Sequence, residues 1–268
     1  DYGHLDWRGR LALDLGSGWT VQGTYVGTDV GDGIRTDKLA KGDLRFYGNT
    51  AHMAFVSLNR RKRGATLSRL RFVASYHRLD DRVDRYTCDT SQLDACVALE
   101  TDSFSRKRLY RDSVDVVAFT AMTNLDLAGG RLKVTTGMDS RMEWISSQLN
   151  DASEDDGFEP VLVERGNFSE GSTYGGGDLF ANLEGKLWSA PGVIEFHGTA
   201  GGRLSATMAT APDVPGLGDV AYDHTGFTAG AGLRALVTNN TNIYANWSQG
   251  FRSPNLQETT VLGNTGNF

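Results

Sequence analysis

The residues of this chain that could do chemistry are few and scattered. The only two cysteines, Cys88 and Cys96, have seven residues between them and share one long polar stretch. In an oxidising compartment that spacing reads as a local disulfide pinning a loop tip. Two thiols alone lack the close ligand pairs of a metal site. The five histidines, His4, His52, His77, His197 and His224, stand singly. His77 and His197 fall on the polar faces of their segments, where they could touch haem or a metal chelate, although an isolated histidine there is more often a hydrogen-bonded wall residue. The stretch from Asp151 to Glu159 holds several carboxylates without the spacing of a calcium loop, so a solvated loop is expected. Gly216-Leu217-Gly218-Asp219-Val220-Ala221 matches the loose dinucleotide pattern by letters alone. It opens no helix, and the match is set aside. No nucleophile elbow, zinc-protease helix or phosphate loop occurs, so the chain is not expected to be an enzyme or to carry a cofactor or metal.

Composition narrows the class. The net charge of −6 argues against nucleic acid as a partner, which would call for a basic face. The one basic run, Arg60-Arg61-Lys62-Arg63, reads as a solvated turn, with a phosphate or lipid head-group contact as the alternative. Mean hydropathy is negative, and no stretch of about 18 apolar residues could form a membrane helix. A barrel strand, however, needs an apolar residue only at every second position. With 33 Gly, 5 Pro and 10% aromatics, strands and turns are favoured over helices.

That period-two rhythm runs along nearly the whole chain. Leu5, Trp7, Leu11, Leu13 and Leu15 alternate with Asp6, Arg8, Arg10 and Asp14, and Gly16-Ser17-Gly18 turns the chain into Trp19 to Gly27. Further strands are expected near Phe46 to Leu58, Leu67 to Arg78, Arg108 to Leu125 and Arg131 to Ser147. Four more follow, around Leu179 to Leu187, Ile194 to Leu204, Phe227 to Val237 and Asn242 to Phe251. In the strand from Arg131, Leu132, Val134, Met138, Met142 and Trp144 oppose Lys133, Asp139, Arg141 and Glu143. Short turns alternate with long polar connections, near Thr28 to Arg45, Leu79 to Lys107, the acidic stretch from Asn150, and Ala206 to Ala221. A soluble sandwich also alternates. Its strands are commonly of about 5–6 residues, whereas these reach roughly 10, the length of a tilted membrane crossing. Trp19 and Trp188 near the turns, with Tyr76, Trp144 and Trp247 towards the loops, suit interfacial girdles. The expected fold is all-β, about ten antiparallel strands forming the wall of a transmembrane β-barrel. Arg8, Arg10, Arg69, Arg71, Arg141, Arg203 and Arg234 fall on polar faces. They would make part of a lumen basic, able to grip acidic groups of a plug or to attract an anionic chelate. Arg141 and Arg203, with His77 and His197, are therefore the candidate lumen contacts for a ligand.

The last strand and its continuation read Asn242-Ile243-Tyr244-Ala245-Asn246-Trp247-Ser248-Gln249-Gly250-Phe251-Arg252-Ser253-Pro254-Asn255-Leu256-Gln257-Glu258. This resembles the TonB-dependent outer-membrane receptors, whose barrels carry such a strand running into a Gly-Phe-Arg-x-Pro corner before a long external loop. The Tyr222 to Arg234 strand and the Thr135-Thr136-Gly137-Met138-Asp139 segment fit the same barrel, but the specific part is the corner at Phe251, Arg252, Pro254, Asn255 and Leu256. Pro254 donates no backbone hydrogen bond and bars Ser253 from the helical region, so the corner ends strand pairing. Anchoring the following loop is the favoured role, direct ligand contact the alternative.

The resemblance implies a 22-stranded up-and-down barrel with short periplasmic turns and long extracellular loops. An N-terminal plug closes it, in the outer membrane of a Gram-negative bacterium. It implies active import of a scarce nutrient, such as a siderophore-bound iron, haem or cobalamin. The partners would be that small molecule, outer-membrane lipid, and the TonB complex acting through a plug segment. Residues 1–268 would then be part of the barrel domain, because the chain starts and stops inside its own pattern and neither plug nor terminal strand is recognisable. A passive outer-membrane channel is the first rival, and an outer-membrane hydrolase the second.

Overall fold

The computed structural model describes residues 3–35, 37–163, 166–190, 194–214, 216–238 and 241–250. They build one antiparallel sheet of eleven strands: β1 (Gly3–Gly16), β2 (Trp19–Arg35), β3 (Asp43–Arg61), β4 (Leu67–Cys88), β5 (Phe104–Leu127), β6 (Leu132–Ser153), β7 (Val161–Val163), β8 (Ser172–Ala190), β9 (Ile194–Val214), β10 (Gly218–Thr238) and β11 (Thr241–Ser248). Each strand pairs with its sequence neighbour, except that β8 lies against β6 and the short β7 branches off β6. Among the described residues β1 and β11 are the two edges, so the sheet is open.

Register and alternation together sort the side chains into two faces. On β6, Leu132, Val134, Met138, Met142 and Trp144 share one face, and Lys133, Asp139, Arg141 and Glu143 the other, as expected. Following the pairing outward keeps Leu11, Tyr25, Ala54, Tyr76, Val117, Leu179, Leu204 and Phe227 on the apolar side. Leu11, Leu179 and Phe227 leave 64%, 58% and 66% of their surface open. A continuous apolar face that bare calls for a hydrocarbon surrounding. An aromatic belt crosses its upper part. Trp7 lies 5.7 Å from the His52 ring, Tyr25 and His52 Nδ1 are hydrogen-bonded at 2.8 Å, and the Tyr76 hydroxyl donates to Asp115. At the lower rim Arg60 lies 5.6 Å over Trp19, its guanidinium reaching past the apolar zone. From Leu70 to Arg78 the apolar band spans about nine residues, matching a tilted crossing of roughly 9–11.

The strands do not stop there. β2 continues to Arg35 and β3 begins at Asp43, β4 runs to Cys88 and β5 starts at Phe104, and β9 and β10 close to within three residues of each other. Most of what the sequence presents as long loops between Thr28 and Arg45, Leu79 and Lys107, and Ala206 and Ala221 is therefore paired strand, and the strands reach 17–24 residues in β2 to β6. The reason is physical. Above the belt neither face meets hydrocarbon, so apolar alternation fades while the backbone ladder persists. Charge alternation replaces it, as in Arg78, Asp80, Arg82 and Asp84, where Arg78 holds Asp80 at 2.9 Å and Arg111 of β5 holds Asp84 at 2.6 Å. The acidic stretch from Asn150 likewise contains the end of β6 and, after a turn at Glu154–Asp156, β7.

Two small cores tie the hairpin tips together. On the side continuous with the apolar face, Leu44, Tyr86, Cys88 and Cys96 are buried beneath Leu93 of the short helix α1 (Leu93–Val97), with Phe46 and Phe104 beside them. Cys88 and Cys96 are disulfide-bonded, Cα to Cα 5.8 Å. The Asp89 carboxylate accepts the Ser91 backbone N–H at 2.8 Å and its hydroxyl at 2.7 Å, which holds it below the usual carboxylate range. On the polar face, Ile145, Tyr174 and Ala209 are buried under Phe168, whose backbone N–H donates to Ser147 Oγ at 3.0 Å.

Candidate functional site

The polar face of β5, β6, β8 and β9 carries a cavity of about 500 Å³, lined among others by Asp139, Arg141, Tyr174, Asp178, Arg203 and Thr207. Its construction starts from a glycine. Gly137 of β6 is directly opposite Phe180 of β8, where a Cβ would overlap the phenyl ring. The bare backbone lets Phe180 lie across the strand, and Arg203 of β9, paired with Phe180, sits 5.9 Å over the ring. Arg203 is also 3.4 Å from Asp139 and 3.6 Å from Asp178. One strand pair higher, Arg141 lies 5.3 Å over the buried Tyr174 and 3.5 Å from Glu143. Both guanidinium groups are thus oriented by an aromatic face and a carboxylate while half of each side chain stays open, 55% for Arg141 and 48% for Arg203. Such groups can exchange a protein carboxylate for an incoming carboxylate or phosphate with little reorganisation.

The four candidate contacts do not form one constellation. Arg141 and Arg203 share the cavity just described. His197 is 3.2 Å from Glu195, which Lys186 also contacts, and it lines a separate cavity of about 220 Å³ with Glu184, Arg234 and Tyr244, nearer the short turns. His77 of β4 faces Met53 and Val116 across the ladder and lines neither cavity. The corner at Phe251, Arg252, Pro254, Asn255 and Leu256 lies outside the described residues. The sequence reading missed Tyr174 and Phe180, the aromatic seats of the two arginines. Phe180 belongs to the alternation of β8 with Asp178 and Asn182, a signal that was there to be used.

The family described as "TonB dependent receptor-like, beta-barrel" matches residues 2–268. None of the curated proteins matches in sequence. Among solved structures, the fold is similar to the copper transporter OprC, with a TM-score of 0.68 at 13% identity over 94% of this chain and 37% of that one. The hemophore receptor HasR of Serratia marcescens, a double mutant in complex with its hemophore HasA and heme, gives 0.57 at 12% identity over 94% and 37%. The siderophore receptor PiuA of Acinetobacter baumannii gives 0.56 at 12% identity over 92% and 42%. The chain therefore spans well under half the length of each. At these identities the likeness is one of fold alone. With the family match covering almost every residue, the chain belongs to the TonB-dependent receptor β-barrel family.

Proposed function

We propose that this chain forms part of the wall of an outer-membrane receptor that captures a scarce nutrient at the cell surface and imports it with energy delivered through TonB. The observation that carries the reading is the family match together with a polar face whose arginines are seated but half open, as a wall that grips exchangeable partners requires. The ligand is read as a metal complex or metal ion, because the similar structures are a copper transporter, a siderophore receptor and a receptor in complex with a hemophore and heme. Capture falls to the hairpins above the aromatic belt, and passage to displacement of a plug held against the lumen face. The Phe251 to Leu256 corner is assigned the anchoring of an external loop. Arg141 and Arg203 would hold either plug carboxylates or the ligand in transit.

The test is uptake by cells lacking and then regaining the full-length gene, offered ferric siderophores, haem, cobalamin or copper in turn. One ligand should accumulate in the complemented strain, and accumulation should stop when a protonophore collapses the inner-membrane gradient. Uptake that continues at full rate without the gradient would make the protein a passive channel.

A further inference from the structure

Near the hairpin tips four arginines stand directly opposite one another on four successive strands. Arg35 of β2 pairs with Arg45 of β3, Arg45 with Arg85 of β4, and Arg85 with Arg108 of β5. Like charges in directly opposed positions destabilise a sheet, so such a row is not what backbone pairing alone would select. The register of β2 is bent to complete it. Below the irregularity between Val30 and Gly33, the even residues Thr24, Val26, Thr28 and Val30 share the lumen face; above it, Gly33 and Arg35 do. The extra residue re-aims Arg35 into the row, a use to which bulges are commonly put. Arg106, two residues before Arg108, shares the same face.

Three carboxylates serve these five guanidinium groups. Asp43 accepts paired bonds from both Arg45, at 3.0 and 2.7 Å, and Arg85, at 3.0 and 3.1 Å. Asp151 is shared by Arg106 and by Arg108, the latter at 3.4 Å, and Asp37 takes Arg35 at 2.6 and 2.9 Å. Among the described residues, two positive charges are left over. Arg45 is almost covered, at 11% open, whereas Arg35, Arg85, Arg106 and Arg108 keep 28–44% of their side chains open. With strands about 4.8 Å apart the row spans roughly 14 Å. The next row down the same face is Tyr47, Val83, Tyr110 and Leu149, apolar and aromatic. Below that come Asn49, Asp81, Asp112 and Ser147, an acidic row that repels an anion from sliding deeper and so fixes its orientation.

We propose that the Arg35, Arg45, Arg85 and Arg108 row, with Arg106, is an anion-binding subsite for a ligand with two or more carboxylates or phosphates, its apolar body resting on Tyr47, Val83 and Tyr110. The inference rests on the receptor reading for its place at the outer mouth and adds the chemical class of what is captured. Guanidinium forks match carboxylate and phosphate geometry. A neutral ligand would leave the surplus charge without use.

The test is calorimetric titration of the full-length receptor in detergent at low ionic strength with citrate and, separately, pyrophosphate. Arg85→Gln with Arg108→Gln removes the two surplus charges and leaves the Arg45–Asp43 and Arg106–Asp151 pairs in place. At least a tenfold loss of affinity for one or both probes is expected. Lys133→Gln, on the polar face at the opposite end of the lumen, should change nothing. If the glutamine pair fails to assemble, Arg85→Lys with Arg108→Lys keeps the charge without the fork and should weaken binding less. No binding of either probe to the unaltered receptor, or equal binding in all variants, overturns the subsite. Preference for one probe separates carboxylate from phosphate ligands. Energised uptake measured in the same strains keeps the readings apart. Gradient-dependent uptake alongside unaffected probe binding sinks the subsite alone, whereas gradient-independent uptake sinks the receptor.

Discussion

Trp7 and Gly27 face each other across β1 and β2, and the indole lies where a Cβ on Gly27 would be. The glycine is the platform that lets Trp7 lie flat, 5.7 Å from His52, within the aromatic belt. Gly27→Val should expel the indole and cost about 0.5–1.5 kcal/mol, the worth of an aromatic contact beyond its area. Gly23→Val, on the same strand with open space at its Cβ, should cost far less. Denaturant unfolding of both variants of the full-length protein in lipid vesicles checks the difference, and equal losses would refute it. Trp7 on the apolar face was legible from its place between Leu5 and Leu11. Its glycine seat was not, because a single strand's pattern carries no information about which residue of the next strand lies opposite. The same blindness hid Tyr174 and Phe180 as seats for Arg141 and Arg203, although the arginines themselves were marked by the polar side of the alternation.

At the scale of the element, what the sequence makes legible is the membrane-crossing part of each strand and little above it. Leu70, Phe72, Ala74 and Tyr76 alternate against Arg69, Arg71, Ser75 and His77 because one side meets lipid and the other does not. Past Arg78 that distinction ends, and with it the signal, so a strand that runs on to Cys88 looks like a loop. The charge period of Arg78, Asp80, Arg82 and Asp84 is the trace that remains. The boundary can be tested on adjacent residues of β4. Ala74, between Val56 and Phe119 on the apolar face, lies midway along the apolar band, whereas Val73 faces Ser57 and Thr120 on the other side. Ala74→Arg should cost about 2–4 kcal/mol, as a guanidinium at the bilayer midplane does, and Val73→Arg much less. The fraction of full-length protein assembled as a heat-modifiable species in outer-membrane preparations reads the contrast. A larger loss from Val73→Arg would mean that the two faces have been assigned the wrong way round.

At the scale of the molecule, alternation fixes a one-layer wall but contains nothing about how many strands close it; the expected 22 came from resemblance. The described sheet has β1 at one side and β11 at the other, each hydrogen-bonded to a single neighbour. In hydrocarbon an unpaired strand edge leaves backbone donors and acceptors without water, at several kcal/mol for each unsatisfied group, which is why spanning sheets close. Twenty or more such groups along two edges would outweigh the few kcal/mol by which a domain is commonly stable. Both edges must therefore be paired in the working protein, with further strands or with each other. Residues 1–268 expressed alone with an export signal should yield no heat-resistant, protease-protected barrel, while the full-length protein should yield one. A monomeric, heat-modifiable species formed by residues 1–268 alone would show that the ten strands running from β1 to β11 without β7 close on themselves, and the lumen would then be too narrow for the plug-gated import proposed above.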